Sequence, residues 1–174
     1  MIHKIGGQVP DTQGAAFIAW NAEIAGSATL GKDSSVWFGA VIRADLNPIT
    51  VGDESNIQDN VTLHVTTNDS CVIGNRVTVG HNAVIHGATI QDECLIGAGA
   101  VIMNKARIGS QSIVGAGALV TENKVFPPRS LIYGNPARLI RSLTGEEMQS
   151  LAATAARYVK TAKEAAAGYC EIRV

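Results

Sequence analysis

Large aromatic side chains are scarce in this chain: two Trp, three Tyr and three Phe among 174 residues, or 5%. A core built around stacked rings is therefore excluded, and apolar burial must come from aliphatic residues. Cysteine is scarce as well. Cys71, Cys94 and Cys170 are odd in number and widely spaced, which argues against a disulfide framework and for a reducing compartment. Neither sign of charge dominates, with 14 basic and 15 acidic residues, so there is no electrostatic footprint for nucleic acid. No apolar run is long enough to cross a bilayer, and the opening MIHKIGGQVP lacks the apolar stretch of a signal peptide. These absences lead us to expect a soluble, cytoplasmic protein with one core and no membrane partner. What the chain does have is glycine, 18 residues, which suits many small turns around a narrow aliphatic core.

A six-residue repeat supplies that core. Stepping by six from Ile90 meets Ile96, Ile102, Ile108, Val114, Val120, Phe126 and Ile132 without a break. The same step runs through Ile18, Ile24, Leu30, Val36 and Ile42, then resumes after three extra residues at Val51, Ile57 and Leu63. After four more it continues at Ile73, Val79 and Ile85, and one residue is dropped before Ile90. Two positions earlier in each hexad lies a mostly small residue, among them Ala22, Ser34, Ala40, Ala83, Cys94, Ala100 and Ala118. Residues two apart on a strand share a face, so each hexad presents one large and one small residue inward. Such hexapeptides mark a β-helix, in which three hexads close one triangular coil, giving about six coils here. An alternating-strand sandwich has no reason to hold a six-residue spacing. The pattern is similar to the hexapeptide-repeat superfamily, and that resemblance implies a left-handed parallel β-helix over residues 1–140.

The tail differs. From Thr144 the text is rich in helix formers, with Thr144 and Glu147 at capping-box spacing and Gly168 able to end the helix. A helix over 144–168 is expected, its face of Met148, Leu151, Ala155, Tyr158, Val159 and Ala162 packing on the prism or on a neighbouring subunit.

Three of the four histidines fall between residues 64 and 86. His64 follows the inward Leu63 and His86 follows the inward Ile85, three hexads later once the four-residue loop is removed. The two therefore point outward from the same face of successive coils, about 4.8 Å apart, and can converge on one ion. His81 follows Val79 on the next face, where it diverges from them within one prism. A neighbouring copy related by a threefold axis parallel to the prism would bring its own His81 to the same height. The spacing thus points to a metal site shared between chains of a homotrimer, against the plainer reading of three surface histidines. The segment around Asn68, Asp69 and Ser70 reads either as a lip to that site or as a tolerated insertion.

The strings RAD at 43–45, NIQDNVTLH at 56–64, VGHNAVIHG at 79–87 and YGNPAR at 133–138 resemble the γ-class carbonic anhydrases. The resemblance implies that His64 and His86 bind the metal from one subunit and His81 from its neighbour. It further implies that Arg43, Asp45 and Asp59 form ion pairs at the subunit interface. On the repeat, Arg43 stacks in the His64–His86 column and Asp59 shares a column with His81. An ordinary solvated pair at Arg43 and Asp45 is the plainer alternative. Gln58 matches the residue that orients the metal-bound water, with Asn56, Asn135 and Tyr133 as further polar groups around the site. Asn56 and Asn135 also read as turn stabilisers, and Tyr133 as packing against the tail. His3 receives no role.

Three neutral imidazoles leave an open coordination position, which zinc uses to supply hydroxide at neutral pH, carbonic anhydrase itself being the standard illustration. The implied reaction is hydration of CO2 to bicarbonate. Iron(II) and cobalt(II) suit the same donors. One departure stands out. The family prototype has a glutamate after the RxD aspartate and a further acidic loop that help shuttle protons; here the position is Leu46, and the short TTNDS loop holds only Asp69. A slow enzyme with an intact metal site is the consequence. Two other readings share the architecture: a CoA-dependent acyltransferase, which needs one histidine as a base, and a non-catalytic subunit using the metal as a trimer clamp.

Overall fold

The computed structural model describes residues 1–170. Its strands are short, most of them two or three residues, because each face of a hexapeptide coil holds only that many before the chain turns. All inter-coil pairs along the prism are parallel, and the inward aliphatic residues stack in three columns. One runs Ile24–Ile42–Leu63–Ile85–Ile102–Val120. The second runs Leu30–Val51–Ile73–Ile90–Ile108–Phe126. The third runs Ile18–Val36–Ile57–Val79–Ile96–Val114–Ile132. These are the columns that the hexad spacing predicts, including the three breaks in phase. Here the expected β-helix of hexapeptide coils with a C-terminal helix is what the chain forms.

From Ile24 to Ile132 these large residues are almost wholly buried, each contributing about 1.5–3 kcal/mol of apolar transfer. The small series beside them is buried too, and its polar members find partners: Ser34 and Ser55 donate to the Gly31 and Gly74 carbonyls, both at 2.7 Å. Burial pushes the thiols of Cys71 and Cys94 up to about 12, so both act as small core residues without reactivity. Glycine after the large residue has a steric reason. A Cβ on Gly97 would lie 2.4 Å from the Ala116 backbone nitrogen, and one on Gly52 2.5 Å from the Gly74 carbonyl.

Two of the three breaks in spacing, the insertions, have visible consequences. Three extra residues after Ile42 let the strand Val41–Val51 run round a corner, pairing with Thr62–His64 at one end and Cys71–Ile73 at the other. Four extra residues after Leu63 make room for the 66–70 loop. It is closed by Thr66 N–H to the Asp69 carbonyl at 3.0 Å and tied to the first corner by Asn47, whose amide donates to the Thr66 carbonyl at 2.6 Å.

At the far end, Ala137–Ser142 turns back antiparallel on Ser130–Gly134. The helix Gly145–Gly168 then runs back along the third face of its own prism, burying Leu151, Ala155 and Ala162. Its N-terminus carries both halves of the capping box, Thr144 and Glu147. The scarce aromatics gather where the helix ends: Phe17, Trp37, Phe38, Tyr158 and Tyr169 form one cluster of tilted and edge-on rings. Among the described residues, no helix is long and apolar enough to cross a membrane.

Candidate metal centre

Strands Thr62–His64 and Val84–His86 pair in register, His86 directly against His64. A parallel in-register pair points its side chains the same way, so the two imidazoles lie together, with centroids 4.9 Å apart. His64 Nδ1 and His86 Nε2 face each other at 3.0 Å.

The outer nitrogens decide what those facing atoms carry. His64 Nε2 meets Asp45 Oδ1 at 3.1 Å, and His86 Nδ1 meets Asn104 Oδ1 at 2.5 Å. Both partners are acceptors, so each imidazole donates outward, and a neutral ring has only one N–H. The facing nitrogens are then two lone pairs, an arrangement that a cation between them relieves. Two nitrogens about 2.0–2.1 Å from a tetrahedral ion stand about 3.3 Å apart, so the donors fit a metal with little movement.

Burial pulls His64 below the ordinary histidine value, more than its hydrogen bond to Asp45 raises it, which favours the neutral ligand form. Burial pushes Asp45 up, but hydrogen bonds from His64 and Arg43 outweigh it and hold the carboxyl low. Arg43 pairs with Asp45 within the chain. It also comes within 3.5 Å of His64 Nδ1, too far to hold that atom firmly.

His81 sits apart, on the corner after the strand Thr78–Val79, where Asn60 and Asn82 adopt left-handed φ of 58° and 60°. Its Nδ1 bonds Asp59 Oδ2 at 2.7 Å, which leaves Nε2 as the nitrogen without a partner among the described residues, on an exposed ring. Asp59 is fixed in turn by the Phe38 N–H at 3.2 Å. Among the described residues of one chain, no three His, Cys, Asp or Glu side chains gather around one point. His64 and His86 are together; His81 faces outward from the next column.

Gln58 and His81 line one groove of about 220 Å³ beneath the helix, with Thr154, Arg157 and Tyr158 on its other wall. Gln58 is nearly buried and joins a row of oriented groups: its Nε2 donates to Asn56 Oδ1 at 3.1 Å, and Asn56 Nδ2 donates to Thr78 Oγ1 at 3.0 Å. The row leaves Gln58 Oε1 as a fixed acceptor.

Tyr133 and Asn135 are not brought to the histidines within one chain. The register Ile57–Val79–Ile96–Val114–Ile132 puts Tyr133 four strands beyond Gln58, about 19 Å at 4.8 Å per strand. Tyr133 instead lies exposed over Gly115, and Asn135 is exposed in the end hairpin. His3 bonds Glu23 near the other end. Sequence reasoning missed Thr78, Asn104 and Glu122. The repeat register places Asn104 one coil beyond Gly87 and Glu122 one coil further, but an outward polar residue gives no sign of its partner.

The comparisons bear on the same residues. Positions 87–122 match the family described as bacterial transferase hexapeptide (six repeats). A probable carbonic anhydrase of Methanocaldococcus jannaschii is 49% identical over 82% of this chain and 90% of its own length. The carbonic anhydrase of Geobacillus kaustophilus is 38% identical over 92% of this chain and 88% of its own. The chain belongs to the γ-carbonic anhydrase family. Against the mitochondrial γ-carbonic anhydrases 1 and 2 of Arabidopsis thaliana, at 39% and 41% identity, it spans 60% and 55% of their length. Among solved structures, a Bacillus cereus protein provisionally named an acetyltransferase superposes with a TM-score of 0.93 at 34% identity, covering 96% of this chain and 97% of that one.

Proposed function

We propose that this γ-carbonic anhydrase family member catalyses reversible hydration of CO2 to bicarbonate at a metal ion shared between two subunits of a homotrimer. The observation that carries the reading is the facing pair His64 Nδ1 and His86 Nε2, 3.0 Å apart with both outer nitrogens on acceptors. Zinc is the first choice of metal, with iron(II) or cobalt(II) able to use the same imidazoles. His64 and His86 hold it from one subunit, and His81 completes the set from the next. Because Gln58 and His81 line one groove, Gln58 and its support Asn56 arrive from the subunit that supplies His81. Arg43, Asp45 and Asp59 then meet across the interface and set its register.

When bound, the metal supplies hydroxide at neutral pH for attack on CO2. The fixed Oε1 of Gln58 would accept a hydrogen bond there and so orient the nucleophile. Asp45 and Asp59 hold His64 and His81 in the tautomers that leave Nδ1 and Nε2 free. Proton export is the weak step. Leu46 stands exposed where the prototype has its glutamate, and the Asp69 carboxylate is engaged by the Thr66 hydroxyl at 3.0 Å. We therefore expect slow hydration that small buffers such as imidazole accelerate.

The test is metal content per chain together with CO2 hydration on the same sample, with zinc and, anaerobically, iron(II). About one ion per chain with buffer-dependent hydration supports the reading. Metal without hydration, and trimers that dissociate in His81→Ala, would favour a structural clamp. No metal after reconstitution, with a thermal shift on adding CoA, would favour an acyltransferase, the activity suggested by the Bacillus cereus protein's name.

A further inference from the structure

Two of the three histidines rest on carboxylates, His64 on Asp45 and His81 on Asp59. His86 rests on an amide, Asn104, and an amide can present either an acceptor or a donor. Its orientation is settled one coil further on. Glu122 Oε1 accepts from Asn104 Nδ2 at 3.2 Å, which turns Asn104 Oδ1 toward His86 Nδ1 at 2.5 Å. A carboxylate oxygen only accepts, so the amide has one stable setting, and the imidazole nitrogen opposite Oδ1 must carry the proton. Gly87 clears the approach: at φ +56°, a Cβ there would stand 3.3 Å from Asn104 Oδ1 and 3.1 Å from the Asp69 Cβ.

We propose that Asn104, braced by Glu122, is a positioning residue that fixes His86 as the Nδ1–H tautomer and so presents Nε2 unprotonated to the metal. The inference rests on the shared-metal reading above, and its first readout does not need the metal. In 15N-histidine NMR of the metal-free protein, His86 is expected to carry its proton on Nδ1. Asn104→Leu should shift it toward the Nε2–H form, Glu122→Gln should fall between, and Asn104→Asp combined with Glu122→Gln, which avoids two facing carboxylates, should restore Nδ1–H.

Cobalt(II) affinity by chelator competition is the second readout. Asn104→Leu should bind about 10–100-fold more weakly and the Asn104→Asp, Glu122→Gln double variant close to the parent, with melting curves reporting the fold. A wild-type His86 protonated on Nε2 would overturn the proposal. So would an Asn104→Leu variant with unchanged tautomer and unchanged cobalt affinity. A wild-type protein showing Nδ1–H but taking up no cobalt would sustain the positioning role and sink the shared-metal reading instead.

Discussion

The coils between residues 41 and 87 and those between 90 and 132 share one core but not one surface. The second stretch keeps its six-residue step without a break, and none of the four histidines falls in it. The first stretch breaks step three times and holds His64, His81 and His86. Its extra residues build the corner that carries Asp45 and the loop that carries Asp69, while strand pairing on either side stays in register. Regular coils fix where an outward side chain stacks; the interruptions bring in groups that the hexad alone cannot place. The histidines have collected where the spacing fails, and the regular coils behind them supply the rigid column and, through Asn104 and Glu122, a chain of contacts to His86.

The sharpest way to break this comparison is His64→Ala. It removes a proposed direct ligand, so metal affinity should fall by more than the about 10–100-fold typical of losing an outer hydrogen-bond partner, and hydration with it, measured by metal analysis and CO2 hydration on one sample. Next come Ile85→Ala and Ile108→Ala, one buried side chain from each stretch. Each should lose about 2–5 kcal/mol in urea unfolding, but only Ile85→Ala, which seats His86, should also lower metal occupancy.

A smaller contrast lies within the regular coils. Gly97→Ala drives a methyl against backbone and should cost about 1–3 kcal/mol. In Gly115→Ala the nearest atoms all belong to the exposed ring of Tyr133, which can swing aside, so its urea midpoint should move less. Beyond the prism, Thr144→Ala removes the helix cap at about 1 kcal/mol, read as a fall in melting temperature.

The smallest effect is a pH dependence. Hydrogen bonds from Arg141 and then from the Thr144 N–H hold the Glu147 carboxyl at about 2, against an ordinary 4.5. A carboxyl depressed on folding stabilises above its unfolded value and loses that contribution as pH falls toward 2. Arg141 is exposed and Glu147 only partly covered, so the effect is small. Glu147→Gln should flatten the acid limb of melting temperature against pH between about 4.5 and 2.

Much of this was legible beforehand, for particular reasons. The three inward columns were readable because a triangular coil admits one large and one small inward residue per face, and no other spacing satisfies that. The His64–His86 pair followed from the same register, since outward residues inherit the columns of their inward neighbours. The helix start at Thr144 was readable because a capping box is local. Tyr133 and Asn135 were placed at the site by motif resemblance alone, and stacking carries them about 19 Å along the prism from Gln58.

The sequence by itself determined which residues face inward and which histidines share a face, because the repeat converts position in the chain into position on the prism. Only the tertiary structure decided which acceptors face the outer imidazole nitrogens, that the helix lies on its own third face, and that Asn104 and Glu122 stand behind His86. Those outcomes depend on where side-chain ends meet across coils, and a six-residue pattern fixes the direction of a side chain without fixing what it touches.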